Sequence, residues 1–173
     1  MTVISGTTGI DKVQTGAIES VDLPAGSVIQ VANYTTGTWA SGTTQIPFDN
    51  TVPQITEGTQ FMSLAFTPKK ANSKLKIEVV GTFTASSGTD ISMALFKDSD
   101  TNAIASTFVN CNIANTGRIM VFTKFIDAVD TSLHTFTVRA GAASAVTVYF
   151  NGYTAGLHGG SLASSITITE IAQ

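Results

Sequence analysis

Turn signals cut this chain at short, nearly regular intervals, and that spacing is what most constrains its fold. Pro68-Lys69-Lys70-Ala71-Asn72, Ser86-Ser87-Gly88, Asp98-Ser99-Asp100-Thr101-Asn102, Asn115-Thr116-Gly117, Gly141-Ala142-Ala143 and Asn151-Gly152 are all clusters that favour tight turns. The runs between them are short and repeat with a period of two. In Lys74–Val80, Leu75, Ile77 and Val79 fall on one face while Lys74, Lys76 and Glu78 fall on the other. The same reasoning predicts strands over Ser27–Asn33, Gln60–Phe66, Ile91–Phe96, Ala103–Val109, Arg118–Asp127, His134–Ala140, Ala145–Phe150 and Ser164–Ile171, with Lys74–Val80 continuing through Thr84 past a kink at Gly81. No segment of ten or more residues has a helical period. The 27 threonines fit a pleated surface, because a branched Cβ suits extended backbone. The chain therefore reads as all-β, a jelly-roll β-sandwich of about 8–10 antiparallel strands. Residues 1–26 have scattered apolar residues and end in the turn Leu23-Pro24-Ala25-Gly26, so they read as a short extended N-terminal arm leading into a domain at 27–173.

One strand has an apolar face too many. In the run 119–126, Ile119, Val121, Thr123 and Phe125 point one way, and Met120, Phe122, Lys124 and Ile126 point the other. A sheet packed on one core needs a single apolar face, so the second face calls for a cover, most simply another subunit. Gln60–Phe66 shows the same surplus in Phe61, Met62, Leu64 and Phe66. The residues nominated for a subunit seam are Met120, Phe122, Phe61 and Ile126, with the opposite neighbours of Met120 and Phe122 on the other face as the alternative.

Composition narrows the function classes. Charged residues make up only 12% of the 173 residues, about half the usual share, and the net charge is −3. That balance argues against nucleic acid as a partner. No apolar run approaches the length of a membrane span, so no membrane insertion is expected. Met1-Thr2-Val3-Ile4-Ser5-Gly6 lacks the basic and apolar blocks of a secretory signal, which points to a protein made in a cytoplasm. The single cysteine, Cys111, has no intrachain partner and cannot alone bind zinc.

Residues with catalytic chemistry are sparse. His134 opens a predicted strand, and His158 lies in the loop Gly156-Leu157-His158-Gly159-Gly160; neither has a neighbouring Cys or second His. Asp98 to Asn102 begins like a calcium loop, but Ala103 stands where the sharp-turn glycine belongs and Val109 where the bidentate Glu belongs. Lys69, Lys70, Lys74 and Lys76 form a cationic cluster that reads as a solvated hairpin, with an acidic glycan as the sharper alternative. Asp49 and Glu57 flank Pro53 without any element to fix their separation, so no glycosidase pair follows. No nucleophile elbow, phosphate loop or dinucleotide fingerprint occurs. The expectation is a protein that is not an enzyme and uses no cofactor and no metal. Aromatic residues beside loops are the candidates for receptor or glycan contact: Trp39, Tyr34 and Tyr153, with His158 in the adjoining loop.

Three stretches carry a family resemblance. Gln45-Ile46-Pro47-Phe48-Asp49-Asn50-Thr51-Val52-Pro53-Gln54-Ile55-Thr56-Glu57-Gly58-Thr59-Gln60, the closing Ser165-Ile166-Thr167-Ile168-Thr169-Glu170-Ile171, and the opening Gly9-Ile10-Asp11-Lys12-Val13-Gln14-Thr15-Gly16-Ala17-Ile18 resemble segments of tailed-phage fibre-tip and other virion structural proteins. The resemblance implies a jelly roll similar to the C1q and tumour-necrosis-factor type, assembled as a homotrimer and located in the virion. It also implies attachment to other virion proteins through the N-terminal arm, and binding of a host cell-surface glycan or protein. It supplies no fixed binding residues. A long fibre would have a long shaft, which this chain lacks, so a short fibre, a trimmed tip and a head or tail decoration protein all fit. Two alternatives stand beside this reading: a carbohydrate-binding β-sandwich module, and a purely structural capsid or collar component without a receptor.

Overall fold

The computed structural model describes Glu19 and residues 22–173. Most of the expected arm over residues 1–26 lies outside the described residues. Ten strands follow: β1 (Val28–Thr36), β2 (Ala40–Gly42), β3 (Thr59–Phe66), β4 (Lys74–Ala85), β5 (Thr89–Lys97), β6 (Ala105–Cys111), β7 (Arg118–Asp127), β8 (His134–Ala142), β9 (Val148–Phe150) and β10 (Ser164–Ile171). All pairings are antiparallel, and the long ones are nested: β5 with β6, β4 with β7, β3 with β8, and β1 with β10. A chain paired this way is one long hairpin rolled over itself, which is the jelly roll expected from the sequence. One sheet runs β1-β10-β4-β7, with the short β9 and β2 extending it beside the far end of β4; the other runs β3-β8-β5-β6.

β4 sets the frame of the core. Leu75, Ile77 and Val79 are buried, as their alternation predicts, and the strand runs on to Ala85 with Phe83 in the same phase. Gly81 is required there: a Cβ would stand 2.4 Å from the Phe83 ring and 3.0 Å from the Met93 sulfur. Phe83 in turn packs with Phe61 and Phe150 at centroid separations of 5.5 and 5.3 Å, and those two rings lie 5.1 Å from each other. Opposite, Ile91, Met93, Leu95, Phe136 and Val138 complete the interior.

The surplus apolar residues of β3 have a simple cause. A register shift between Gln60 and Met62 lets Phe61 and Met62 both face the core, so that strand does not have two apolar faces. Phe61 is thus a core residue of its own subunit. The seam nominations in β7 are corrected in the same way. β4 and β7 pair Gly81 with Met120, Val79 with Phe122, Ile77 with Lys124 and Leu75 with Ile126. Directly opposed residues share a face, so the inward phase of β4 turns Met120, Phe122 and Ile126 inward too. Met120 is 3% exposed, and Phe122 and Ile126 pack on the core cluster. Lys124 shares this inward phase at the open sheet edge, where a long apolar stem is tolerated.

The rest of the pattern departs from expectation by small amounts. β6 starts two residues later than predicted, β9 keeps only the last three residues of its predicted run, and β8 continues through the Gly141-Ala142 turn signal. The short β2 was not anticipated. Residues 43–58, between β2 and β3, form a strap across the outer face of the second sheet. Ile46, 1% exposed, packs on Ala94 and Phe96 with Ile55 and Ala103 beside them. Gly141 is needed under the strap, because a Cβ would meet the Thr44 carbonyl at 2.6 Å. Arg139 holds the strap's end, donating from Nε to the Glu57 carbonyl (2.8 Å) and from Nη2 to the Gly58 carbonyl (2.7 Å).

Candidate functional site

Strand direction sorts the loops into two ends. Thr36 pairs with Ser164, and the last residues of β4 lie alongside, so the loops 37–39, 86–88, 112–117, 143–147 and 151–163 share one end. The entry and exit of the domain lie at the other, where Gly26 donates to the Ala172 carbonyl (2.8 Å) and Ala172 donates to Ser27 (2.9 Å). The loop end is therefore distal to both ends of the described domain.

Three of the four sequence-nominated contact residues meet at that distal end. The indole Nε1 of Trp39 donates to the Tyr153 carbonyl (2.8 Å), and its ring stacks against Tyr149 at 6.5 Å. Gly152 and Gly156 lie close against the Trp39 side chain, at 2.9 and 3.3 Å from the position of a Cβ. Trp39 is thus a bracket that fixes the 151–156 turn, with its one donor already used. His158 sits with φ 53° in a 3₁₀ turn (His158–Gly160), and the Gly160 carbonyl approaches Gly37 too closely for any side chain there. Tyr34 lies two residues short of the end of β1, opposite Ile166. Tyr153 and Tyr34 remain 40% and 38% exposed. Two aromatics that the sequence reading passed over, Phe48 and Phe108, are more exposed still, at 52% and 59%.

The broadest unusual surface is the outer face of the first sheet. β7 is an edge strand there and turns Ile119, Val121 and Phe125 outward, 70%, 56% and 51% exposed. Register carries the face inward from this edge through Val80, Glu78 and Lys76 of β4 to Ser165, Thr167 and Thr169 of β10, then to Thr35, Asn33 and Val31 of β1. Its charges are already matched, with Lys76 Nζ 2.9 Å from Glu78 and Lys74 paired with Asp127. No segment among the described residues straps this face as residues 43–58 strap the other.

Glu170, Asp98 and His134 lie toward the proximal end. Glu170 is fully buried and accepts from Lys69 N (2.9 Å), Lys70 N (2.9 Å), Ser73 Oγ (2.7 Å) and Gln30 Nε2 (2.7 Å). Burial pushes its carboxyl up, but these donors outweigh that and hold it below the usual carboxylate range. Two backbone amides of the lysine cluster are thus committed to Glu170, Lys70 Nζ donates to the Gln173 carbonyl (3.0 Å), and Lys74 and Lys76 pair with Asp127 and Glu78, so two of the cluster's four charges are matched. His134, the first residue of β8, is 8% exposed. Its Nδ1 lies 2.8 Å from Asp98 and its Nε2 3.3 Å from Asp130. Asp98 also accepts from Thr135 N (2.7 Å). Burial raises Asp98, yet the Thr135 and His134 hydrogen bonds, with the charges of His134 and Lys97, leave it below its ordinary value. The calcium-like turn therefore spends its first carboxylate internally, and no three His, Cys, Asp or Glu side chains gather as a metal set among the described residues. Cys111 is buried, and burial pushes its thiol up.

No protein-family model matches the chain, and no curated protein sequence does. Among solved structures, infectious bursal disease virus (Gx strain) is similar over 84% of this chain and 33% of its own, with TM-score 0.43 and 15% identity. The insecticidal delta-endotoxin Cry8Ea1 of Bacillus thuringiensis is similar over 66% of this chain and 18% of its own, with TM-score 0.40 and 8% identity. The sugar-binding EclA C-terminal domain is similar over 65% of this chain and 73% of its own, with TM-score 0.38 and 14% identity. The chain thus spans a third or less of the first two. These likenesses concern the β-sandwich alone.

Proposed function

We propose that this chain is a non-enzymatic bacteriophage virion structural protein, a homotrimeric fibre-tip or head or tail decoration protein that mediates host adsorption. The observation that carries the reading is the asymmetry of the two sheets. One outer face is strapped by residues 43–58, while the other presents Ile119, Val121 and Phe125 on an edge strand beside internally paired charges. An exposed apolar edge of this kind is an association liability in a monomer and an asset in an assembly, whatever the curl of the sheet. A second copy of the chain suits it, because the face offers apolar area and charges that are already paired, Lys74 with Asp127 and Lys76 with Glu78. The seam moves accordingly from Met120 and Phe122 to their opposite neighbours.

The polarity of the domain supports adsorption. The distal end carries Trp39, Tyr153 and His158 on loops, while the described chain enters at the other end, from which the N-terminal residues would reach other virion proteins. Three copies facing one cell surface would act multivalently, so weak single sites would add to firm attachment. Light scattering tests the assembly: a mass three times the 18.0 kDa chain is expected, and a stable monomer at micromolar concentration overturns it. A monomer that still binds glycan would favour the carbohydrate-binding module. A trimer located on the particle by immunogold labelling, with no effect on host adsorption, would favour the capsid or collar component.

A further inference from the structure

A cleft of about 170 Å³ opens where the strap crosses β5 and β6. Phe48 of the strap and Phe108 of β6 form its walls and meet edge to face, with centroids 4.9 Å apart and rings inclined at 64°. Both rings are more than half exposed, which nothing in the packing of this subunit requires. Ser92 and Ser106 lie on the floor, Ser92 on β5 directly opposite Phe108. Neither serine hydroxyl is a buried atom lacking a partner, so both are open to the cleft, Ser92 in a largely buried residue and Ser106 in an exposed one. Asp49 stands at the rim with one oxygen fixed, accepting from Thr51 N (2.8 Å) and Thr51 Oγ1 (2.6 Å), while its other oxygen is free among the described residues.

We propose that this cleft binds one neutral pyranose unit of a glycan. The chemistry is specific on three counts. A pyranose has an apolar C–H face that an aromatic ring covers well, and Phe48 and Phe108 supply that surface. Its edge is a ring of hydroxyls, which match a carboxylate acceptor and two serine hydroxyls able to donate or accept. The volume equals that of roughly five or six water molecules, enough for one ring and too small for a larger cofactor. Asp49 decides the charge class. Like any exposed aspartate it is anionic at neutral pH, the Thr51 hydrogen bonds favouring that form further, so it disfavours sialic acid and phosphate. A role of this cleft as a receptor contact rests on the adsorption reading above.

The test uses the full chain and neoglycoproteins bearing glucose, galactose or N-acetylglucosamine, with a sialic-acid conjugate as the anionic arm. At least one neutral conjugate should bind and the anionic one should not. Phe108→Ala and Asp49→Asn should each lower binding at least tenfold with the melting temperature and oligomer mass unchanged. Should Phe108→Ala disturb folding, Asp49→Asn, which keeps both Thr51 contacts within reach, decides alone. Absence of binding to every neutral conjugate, preference for the sialic-acid conjugate, or binding that survives Asp49→Asn would overturn the assignment. Competition with adsorption of the parent phage separates the two readings. Protein that blocks adsorption while no neutral conjugate binds removes the cleft and keeps the adsorption function. Conjugate binding that Asp49→Asn abolishes, in protein that never competes with the phage, keeps the cleft and removes the adsorption function.

Discussion

Replacing Glu170 by glutamine keeps the shape of the side chain and removes only its charge and one acceptor, so the outcome can be worked from the contacts. In the native domain Oε1 faces Ser73 Oγ and Lys70 N, Oε2 faces Gln30 Nε2, and Lys69 N reaches both. A glutamine carbonyl at the Oε1 position keeps the first two donors, but its NH2 then opposes the Gln30 amide. Gln30 cannot escape by flipping, because its Nε2 also donates to the Thr67 carbonyl at 2.8 Å. One charge-assisted hydrogen bond is lost and the others become neutral, about half as strong. With about 1.5–3 kcal/mol for a bond to a charged group against 0.5–1.5 for a neutral one, and some return from no longer burying a charge, Glu170→Gln should cost about 2–4 kcal/mol. For a domain of this size that is roughly a 6–12 °C fall in melting temperature near neutral pH.

The pH dependence gives a second, independent readout. A carboxyl held below its ordinary value in the folded state contributes stability that is complete above the unfolded value, about 4.3, and is lost as pH falls through the folded value. The gap between wild type and Glu170→Gln should therefore be widest near neutrality and shrink below about pH 4.3. Calorimetry or thermal circular dichroism over pH 3–7, on the same oligomer, measures both. A melting temperature within about 2 °C of wild type at pH 7, or a gap that stays constant into acid, would refute the reasoning.

Three further outcomes follow from single contacts. Val121→Asp or Phe125→Asp should convert the trimer to monomer by light scattering while the far-ultraviolet dichroism is retained; a trimer unaffected by both would place the seam elsewhere. Gly81→Val should cost about 1–3 kcal/mol by forcing the Phe83 ring out of its cluster with Phe61 and Phe150, seen as a lower denaturant midpoint with an unchanged slope. Trp39→Phe removes the donor to the Tyr153 carbonyl and should cost about 1 kcal/mol, with amide exchange accelerating in residues 151–163 and not in β4; uniform acceleration would deny Trp39 its local bracing role.

Much of the sandwich is legible because its period-two runs are local. Leu75, Ile77 and Val79 announce their face, and Ile166 and Ile168 announce theirs, without reference to any other strand. The distal placement of Trp39 and Tyr153 is legible for a similar reason, since both stand beside glycine-containing turns. The strap is not, because residues 43–58 have no period. Their burial comes from a single isoleucine, Ile46, landing on Ala94 and Phe96 some fifty residues away in sequence. Phe48 and Phe108 stay hidden for the same reason, as no local pattern says that a proline-flanked loop residue and a β6 residue will meet edge to face.

The phase of β7 marks where local reading stops. Within residues 119–126 the two faces are nearly matched in apolar character, and the single charge there, Lys124, lies on the Met120 face, which argues locally for turning that face toward solvent or a seam. The neighbouring strand overrules it. β4 admits no choice of face, the β4–β7 pairing puts Met120 opposite Gly81 and Phe122 opposite Val79, and a shift of one residue would expose Met120, Phe122 and Ile126 together while burying Thr123. Lys124 is tolerated in the inward phase because it is only half-buried at a sheet edge, where its stem can lie along apolar surface with its head near the rim. The consequence is an outward stripe of Ile119, Val121 and Phe125 that no charge interrupts. A strand selected only to close its own sandwich has no need of this second face, so the residues that the local pattern made ambiguous are the ones that most strongly call for a partner.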